Sequence, residues 1–124
     1  MPVGGNARYR GRLMQPRLAS SVLVSALLRR AEAQGGFGAV LARGDPTAGA
    51  VAVVLVERGA APRLFERMLQ PDGSYCWQPS GPAGDEAAVR GQIERRRRFD
   101  PDLWVVELDV AGAERFAAEM NLVG

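Results

Sequence analysis

"AVAVVLVERG", residues 50–59, decides the fold. A strand alternates its side chains between two faces. Here Val51, Val53, Val54 and Val56 leave almost no polar face, so the run predicts a strand over 50–57 that is central and covered on at least one side. Glu57-Arg58-Gly59-Ala60-Ala61-Pro62 then turns the chain.

Working outward, "GDPTAG" (44–49) is a loop of turn residues that joins this strand to an earlier one over 37–43. Before that lies an amphipathic helix. Val24, Leu27, Leu28 and Ala31 follow its i, i+3, i+4, i+7 spacing, Ser20 and Ser21 are candidate N-caps, and Gly35-Gly36 ends it. Downstream, a third strand over 63–69 reaches the turn "QPDGS", and a short fourth follows over 75–78, with Tyr75 and Trp77 on one face. Pro79 to Gly84 reads as a loop. Asp85 caps a second helix that runs to about Arg98 and stops at Phe99-Asp100-Pro101-Asp102, since proline disfavours helical geometry in the residue before it. A fifth strand, 103–109, places Trp104, Val106 and Leu108 on one face.

The order α-β-β-β-β-α-β predicts a single α+β domain over 18–110. Its sheet is mainly antiparallel and five-stranded, with two helices packed on one face. The helix between strands four and five allows strand five to pair in parallel through a right-handed crossover. Residues 1–17, glycine-rich, basic and aperiodic, read as a mobile tail, and 111–124 as a tail that is either a short helix or irregular.

Composition narrows the chemistry. The 124 residues contain no histidine, and all 16 basic residues are arginine. A Ser-His-Asp or Cys-His arrangement, a Schiff-base lysine and a P-loop lysine are therefore absent from this chain. The single cysteine, Cys76, excludes an intrachain disulfide. The longest apolar runs are too short to cross a bilayer, and the first residues lack the apolar stretch of a signal peptide, so the expected compartment is the cytoplasm, with no membrane partner. A net charge of +2 does not by itself require a nucleic-acid partner.

The run Arg95-Arg96-Arg97-Arg98 is the most conspicuous polar feature. Helical residues step by about 100°, so four in succession cannot form one cationic face. Val89 and Ile93 mark the buried stripe, and its continuation falls at Arg96 or Arg97. The spacing from Ile93 places Arg97 toward the sheet, paired with Asp100 or Asp102, with Arg95 and Arg98 in water and Phe99 and Trp104 in the core. Candidate binding residues are Arg43, Asp45, Arg97, Asp100, Asp102 and Trp104. Asp100 and Asp102, with Asp45 or Glu107, could supply carboxylates to a divalent cation, but two carboxylates around a proline are ordinary turn residues. No metal, cofactor or catalytic residue is assigned.

The segments Arg43-Gly44-Asp45 through Gly49-Ala50-Val51 and Phe99-Asp100-Pro101-Asp102-Leu103-Trp104 resemble family 1491 of the domains of unknown function, a set of short bacterial proteins. The resemblance spans roughly residues 18–110. It implies the fold and a bacterial cytosolic setting, and no mechanism.

Three functions are compatible with these readings. The first is a non-catalytic protein-interaction or self-associating module, with a protein partner or a second copy meeting an uncovered sheet face near the third strand. The second is a nucleic-acid or phosphate binder using the basic tail (Arg8, Arg10, Arg12, Arg17) and the helix end. The third is a small enzyme built on Arg43, Asp45, Asp100 and Asp102, which requires those residues to converge.

Overall fold

A computed structural model describes residues 18–123. The elements are α1 (Ser20–Ala33), β1 (Phe37–Ala42), β2 (Val51–Glu57), β3 (Ala60–Leu69), β4 (Tyr75–Ala83), α2 (Glu86–Phe99), β5 (Trp104–Asp109) and α3 (Ala113–Val123). The expected order is present, with a third helix added after it. The basic tail over 1–17 lies outside the described residues.

The five strands form one sheet in the order β1-β5-β2-β3-β4. The β1/β5, β2/β3 and β3/β4 pairs are antiparallel, and β2/β5 is parallel. The sheet is thus mixed, through the crossover by way of α2 that the sequence allowed. As predicted, β2 is central: its residues Val51 to Val56 are all buried.

That burial corrects the placement of the helices. Val51, Val53 and Leu55 point to a face covered by Leu23, Val24 and Leu27 of α1 and by Phe116 and Met120 of α3. Ala52, Val54 and Val56 point to the other face, where Val89 and Ile93 of α2 join Leu64, Leu103 and Val105. Helices α1 and α2 therefore lie on opposite faces rather than on one. A strand apolar at both parities has to be covered twice, and one helix layer cannot do that.

Three local readings also change. The segment Pro79-Ser80-Gly81-Pro82-Ala83, expected as a loop, continues β4. Prolines are compatible with this strand because β4 is at the sheet edge, where a missing N–H breaks no ladder. The C-terminal segment is helix α3, so the folded unit extends past residue 110, with Phe116, Ala117 and Met120 buried. The Glu57 carboxylate accepts the Ala113 N–H at 3.3 Å, and backbone donors of Gly112 and Ala113 hold that carboxyl below its ordinary value. A depressed carboxyl stabilises above its unfolded-state pKa and loses that contribution as pH falls through the folded value. Finally, α1 is not capped by a serine side chain. Ala19 occupies the cap position, and carbonyls of Thr47 and Pro46 accept the Ser20 and Ser21 amides.

The β2/β3 turn is a two-residue connection, Arg58-Gly59, with φ of 54° and 74°. Both central residues in the left-handed region match the twist of a hairpin. The Asp109 carboxylate accepts both turn amides, at 2.8 and 2.9 Å.

Candidate functional site

Five of the six candidate residues do converge. The GDPTAG loop and the FDPD turn lie side by side, joined by the Asp45 N–H donating to the Asp102 carbonyl at 3.0 Å. The Trp104 indole N–H donates to the Asp45 carbonyl at 2.7 Å, and the Arg43 guanidinium stands 5.2 Å from the Trp104 ring centroid. Asp100 sits in the same turn and accepts the Asp102 N–H at 3.2 Å.

The Asp45 and Asp100 carboxylates and the Trp104 indole of this junction are already engaged in hydrogen bonds. The Asp45 carboxylate accepts the Thr47 and Ala48 amides at 3.1 and 2.8 Å, an Asx turn that holds the loop. Helix α1 docks on the same loop: the Ser20 and Ser21 amides donate to Thr47 and Pro46 carbonyls, and the Ser20 hydroxyl donates to Gly49 O at 2.5 Å. A helix N-terminus does face GDPTAG, which the sequence did not reveal, but carbonyl oxygens of the loop occupy its donors. Among the described residues, no three His, Cys, Asp or Glu side chains gather where they could hold a metal ion. The junction's chemistry is that of a structural clasp.

Arg97, the sixth candidate, is elsewhere and exposed. The inward arginine is Arg96. Its Nε and Nη2 donate to Glu66 Oε1 of β3 at 2.9 and 2.6 Å. Glu66 also accepts the Ser80 hydroxyl at 2.9 Å, and Ser80 in turn accepts from Gln92 at 2.9 Å. The Glu66 hydrogen bond holds the Arg96 guanidinium above its usual pKa, against burial, which lowers it. The correction is angular. Arg96 lies seven residues after Val89 and three after Ile93, on the centre line of the stripe that also carries Gln92. Arg97 falls a further 100° round the helix. The carboxylate partner, 30 positions away on β3, has no local sequence signal.

Arg96→Ala should therefore cost about 1–2 kcal/mol in urea denaturation. It strands a Glu66 side chain that is only 13% exposed, with some relief because Arg96 itself is 37% exposed. Arg97→Ala should stay within about 0.5 kcal/mol. The opposite order would restore the original assignment.

Phe99 is also corrected. It was expected in the core but is 86% exposed. It lies one turn after Arg95, which is also exposed.

The third strand, favoured from sequence as a partner surface, lies inside the sheet. Leu64 is buried, Glu66 is engaged by Arg96, Arg67 stacks 4.5 Å from the Tyr75 ring and 5.7 Å from that of Trp77, and of its large apolar side chains only Met68 and Leu69, at the end of the strand, are exposed. The open surface is the opposite edge strand, β1. Its sequence, FGAVLA, has no charge and no proline, and it exposes Phe37 (64%), Val40 (37%) and Leu41 (52%). The other edge is guarded. Strand β4 carries Pro79 and Pro82, and the Asn121 side chain of α3 accepts the Trp77 N–H at 2.6 Å and donates to the Trp77 carbonyl at 3.2 Å. The missing charges of 37–42 were visible in the sequence; the position of β1 at an edge was not.

The backbone of β1 is resolved by the ladder. The Trp104 and Val110 amides donate to Ala50 and Val56 carbonyls, so even-numbered residues of β5 face β2 and odd-numbered ones face β1. Phe37 and Ala39, paired with Asp109 and Glu107, thus direct their backbone groups inward. Gly38 and Val40 direct theirs to the open edge.

Residues 18–118 match the model of a family described as protein of unknown function (DUF1491). A crystal structure of a DUF1491 family protein from Caulobacter crescentus CB15 is similar at TM-score 0.71 and 39% identity, over 75% of this chain and 88% of that one. An NMR structure of a DUF1491 family protein from the same organism gives 0.70 and 38%, over 77% and 88%. A solution structure of a protein from A. tumefaciens gives 0.69 and 34%, with the same coverage. No curated protein matches the chain.

Proposed function

The chain belongs to the DUF1491 family of proteins of unknown function, and from that premise we propose that it is a non-catalytic interaction module of the bacterial cytoplasm, which binds by accepting an extra β-strand along β1. One observation carries this reading: the two edges of the sheet are treated oppositely. Prolines and a hydrogen-bonding side chain blunt β4, whereas β1, interrupted only by a register shift between Val40 and Ala42 at its C-terminal end, is an uncharged strand with an apolar fringe. Exposed edges of that kind template pairing with another strand, and proteins ordinarily block them. The bacterial sources of the relatives support the setting. So does the single cysteine. Among the described residues no helix is long and apolar enough to cross a membrane.

The test is residue-resolved amide hydrogen exchange, at rising protein concentration and against a panel of extended valine- and threonine-rich peptides. The Gly38 and Val40 amides should gain protection of about tenfold or more in at least one condition. Unchanged exchange at both amides throughout would sink the reading.

A second reading, binding of single-stranded nucleic acid, is favoured by Arg95, which is exposed one turn from both Arg98 and Phe99 at the end of α2. An aromatic ring beside guanidinium groups offers base stacking with phosphate contacts. On this reading, a labelled single-stranded oligonucleotide binds with an affinity that falls steeply with salt, and Arg95→Ala with Arg98→Ala flattens that slope. Binding that is absent at low salt removes it.

A further inference from the structure

We infer that the strand accepted by β1 is β1 of a second copy, antiparallel about a two-fold axis at Ala39, so that two sheets join into one of ten strands. This inference rests on the strand-addition reading and adds the partner and the register.

The backbone sets the register. The free N–H and C=O groups of the edge belong to Gly38 and Val40, on either side of Ala39. Antiparallel strands exchange hydrogen bonds between residues whose backbone groups face each other. Pairing Gly38 with Val40 of the second copy, and Val40 with its Gly38, uses all of these groups and requires the axis to fall at Ala39. A slip by one residue would set outward-facing groups against inward-facing ones.

The side chains fit the same symmetry. A two-fold interface brings each patch against itself, so any charge at its centre meets a like charge. FGAVLA has none. Ala39 is exposed and small, which lets the two strands approach at the axis, and the register carries Phe37 toward Leu41 of the other copy on each side, where β1 shifts register between Val40 and Ala42. These are the largest exposed apolar groups of the strand.

The chain's own N-terminal segment is a poorer occupant. Helix α1 begins at Ser20, where it docks on the GDPTAG loop beyond the C-terminal end of β1. A preceding strand laid on the outer edge of β1 would run parallel to it, with α1 as the crossover. Crossovers between parallel strands are right-handed in about 98% of cases. By that rule the β4–α2–β5 crossover takes the right hand, and with α1 on the opposite face a crossover through α1 to that edge would then have the left hand.

Ala39→Cys tests the register, in a Cys76→Ser background that removes the native thiol. Directly opposed residues of a non-hydrogen-bonded antiparallel pair have Cα atoms about 4.5 Å apart, within the range a disulfide spans. In a glutathione redox buffer at micromolar protein, Ala39→Cys should form a linked dimer at least about tenfold faster than Thr47→Cys, an exposed control outside the edge. The Cys76→Ser parent should sediment with twice the chain mass. Val40→Pro removes an edge donor without touching the β1/β5 ladder; it should give a folded monomer and reduce the Ala39→Cys cross-link to the Thr47→Cys rate. A parent that stays monomeric, with Ala39→Cys linking no faster than the control, overturns the second copy. If peptides still protect Gly38 and Val40 in that monomer, strand addition stands and only the partner is wrong; if nothing protects them, both fall.

Discussion

Phe116→Ala should lower the unfolding free energy by about 3–5 kcal/mol, the range for deleting a fully buried aromatic side chain. Phe116 has no exposed surface and lies with Met120 against Val53, Leu55 and Trp77. On the face it shares with α1, helix α3 covers β2 and β4 while α1 covers β1 and β5. Removing the ring leaves a cavity between helix and sheet that neither layer can close without moving. Arg115→Ala, on the exposed side of the same helix, should change stability by less than about 0.5 kcal/mol. Chemical denaturation followed by tryptophan fluorescence reads both, because Trp77 lies in the same cluster. Equal, small effects would mean that α3 is an appendage and that the domain ends near residue 110.

Gly49→Ala should cost about 3 kcal/mol, at the upper end of overpacking penalties. A methyl group there would run into the Asp102 carbonyl oxygen and into the backbone nitrogen and oxygen of Asp45. None of these is a flexible side-chain end, and each already takes part in the clasp. Asp45 N–H donates to Asp102 O at 3.0 Å, and Gly49 N–H donates to Asp45 O at 3.2 Å. Displacing the loop would also pull the Gly49 carbonyl from the Ser20 hydroxyl and so loosen the start of α1. Ala48→Gly, one residue away, should cost no more than about 1 kcal/mol, the entropy of an added glycine. A fully stable Gly49→Ala protein would show that the loop and the FDPD turn are not in contact.

Both predictions concern contacts between segments far apart in the chain, and this separates what was legible from what was not. The strand at 50–57 was legible because seven apolar residues in succession can only be a covered strand or a buried helix segment, and the flanking turn residues leave room for the strand alone. The second helix was legible from Asp85, which accepts the Ala88 N–H at its start, and from the proline after Phe99. The convergence of Arg43, Asp45, Asp102 and Trp104 was suggested by two recognisable segments, but their role was not. Whether a carboxylate is free for chemistry depends on which amides reach it, and the amides of Thr47 and Ala48 take that of Asp45.

The sequence by itself determined the element order, the central strand and the turn positions, since these follow from periodicity and from residues that restrict φ within a few positions. It also determined that at least one arginine of 95–98 must face the protein, because four successive helical residues span almost the whole circumference. Only the tertiary structure decided that this residue is Arg96, that its partner is Glu66, that α1 and α2 cover opposite faces, and that β1 rather than β3 lies at an edge of the sheet. These facts depend on which strand lies beside which. That adjacency is set by the crossover through α2 and by the cover that β2 needs on both faces, and no local pattern encodes it.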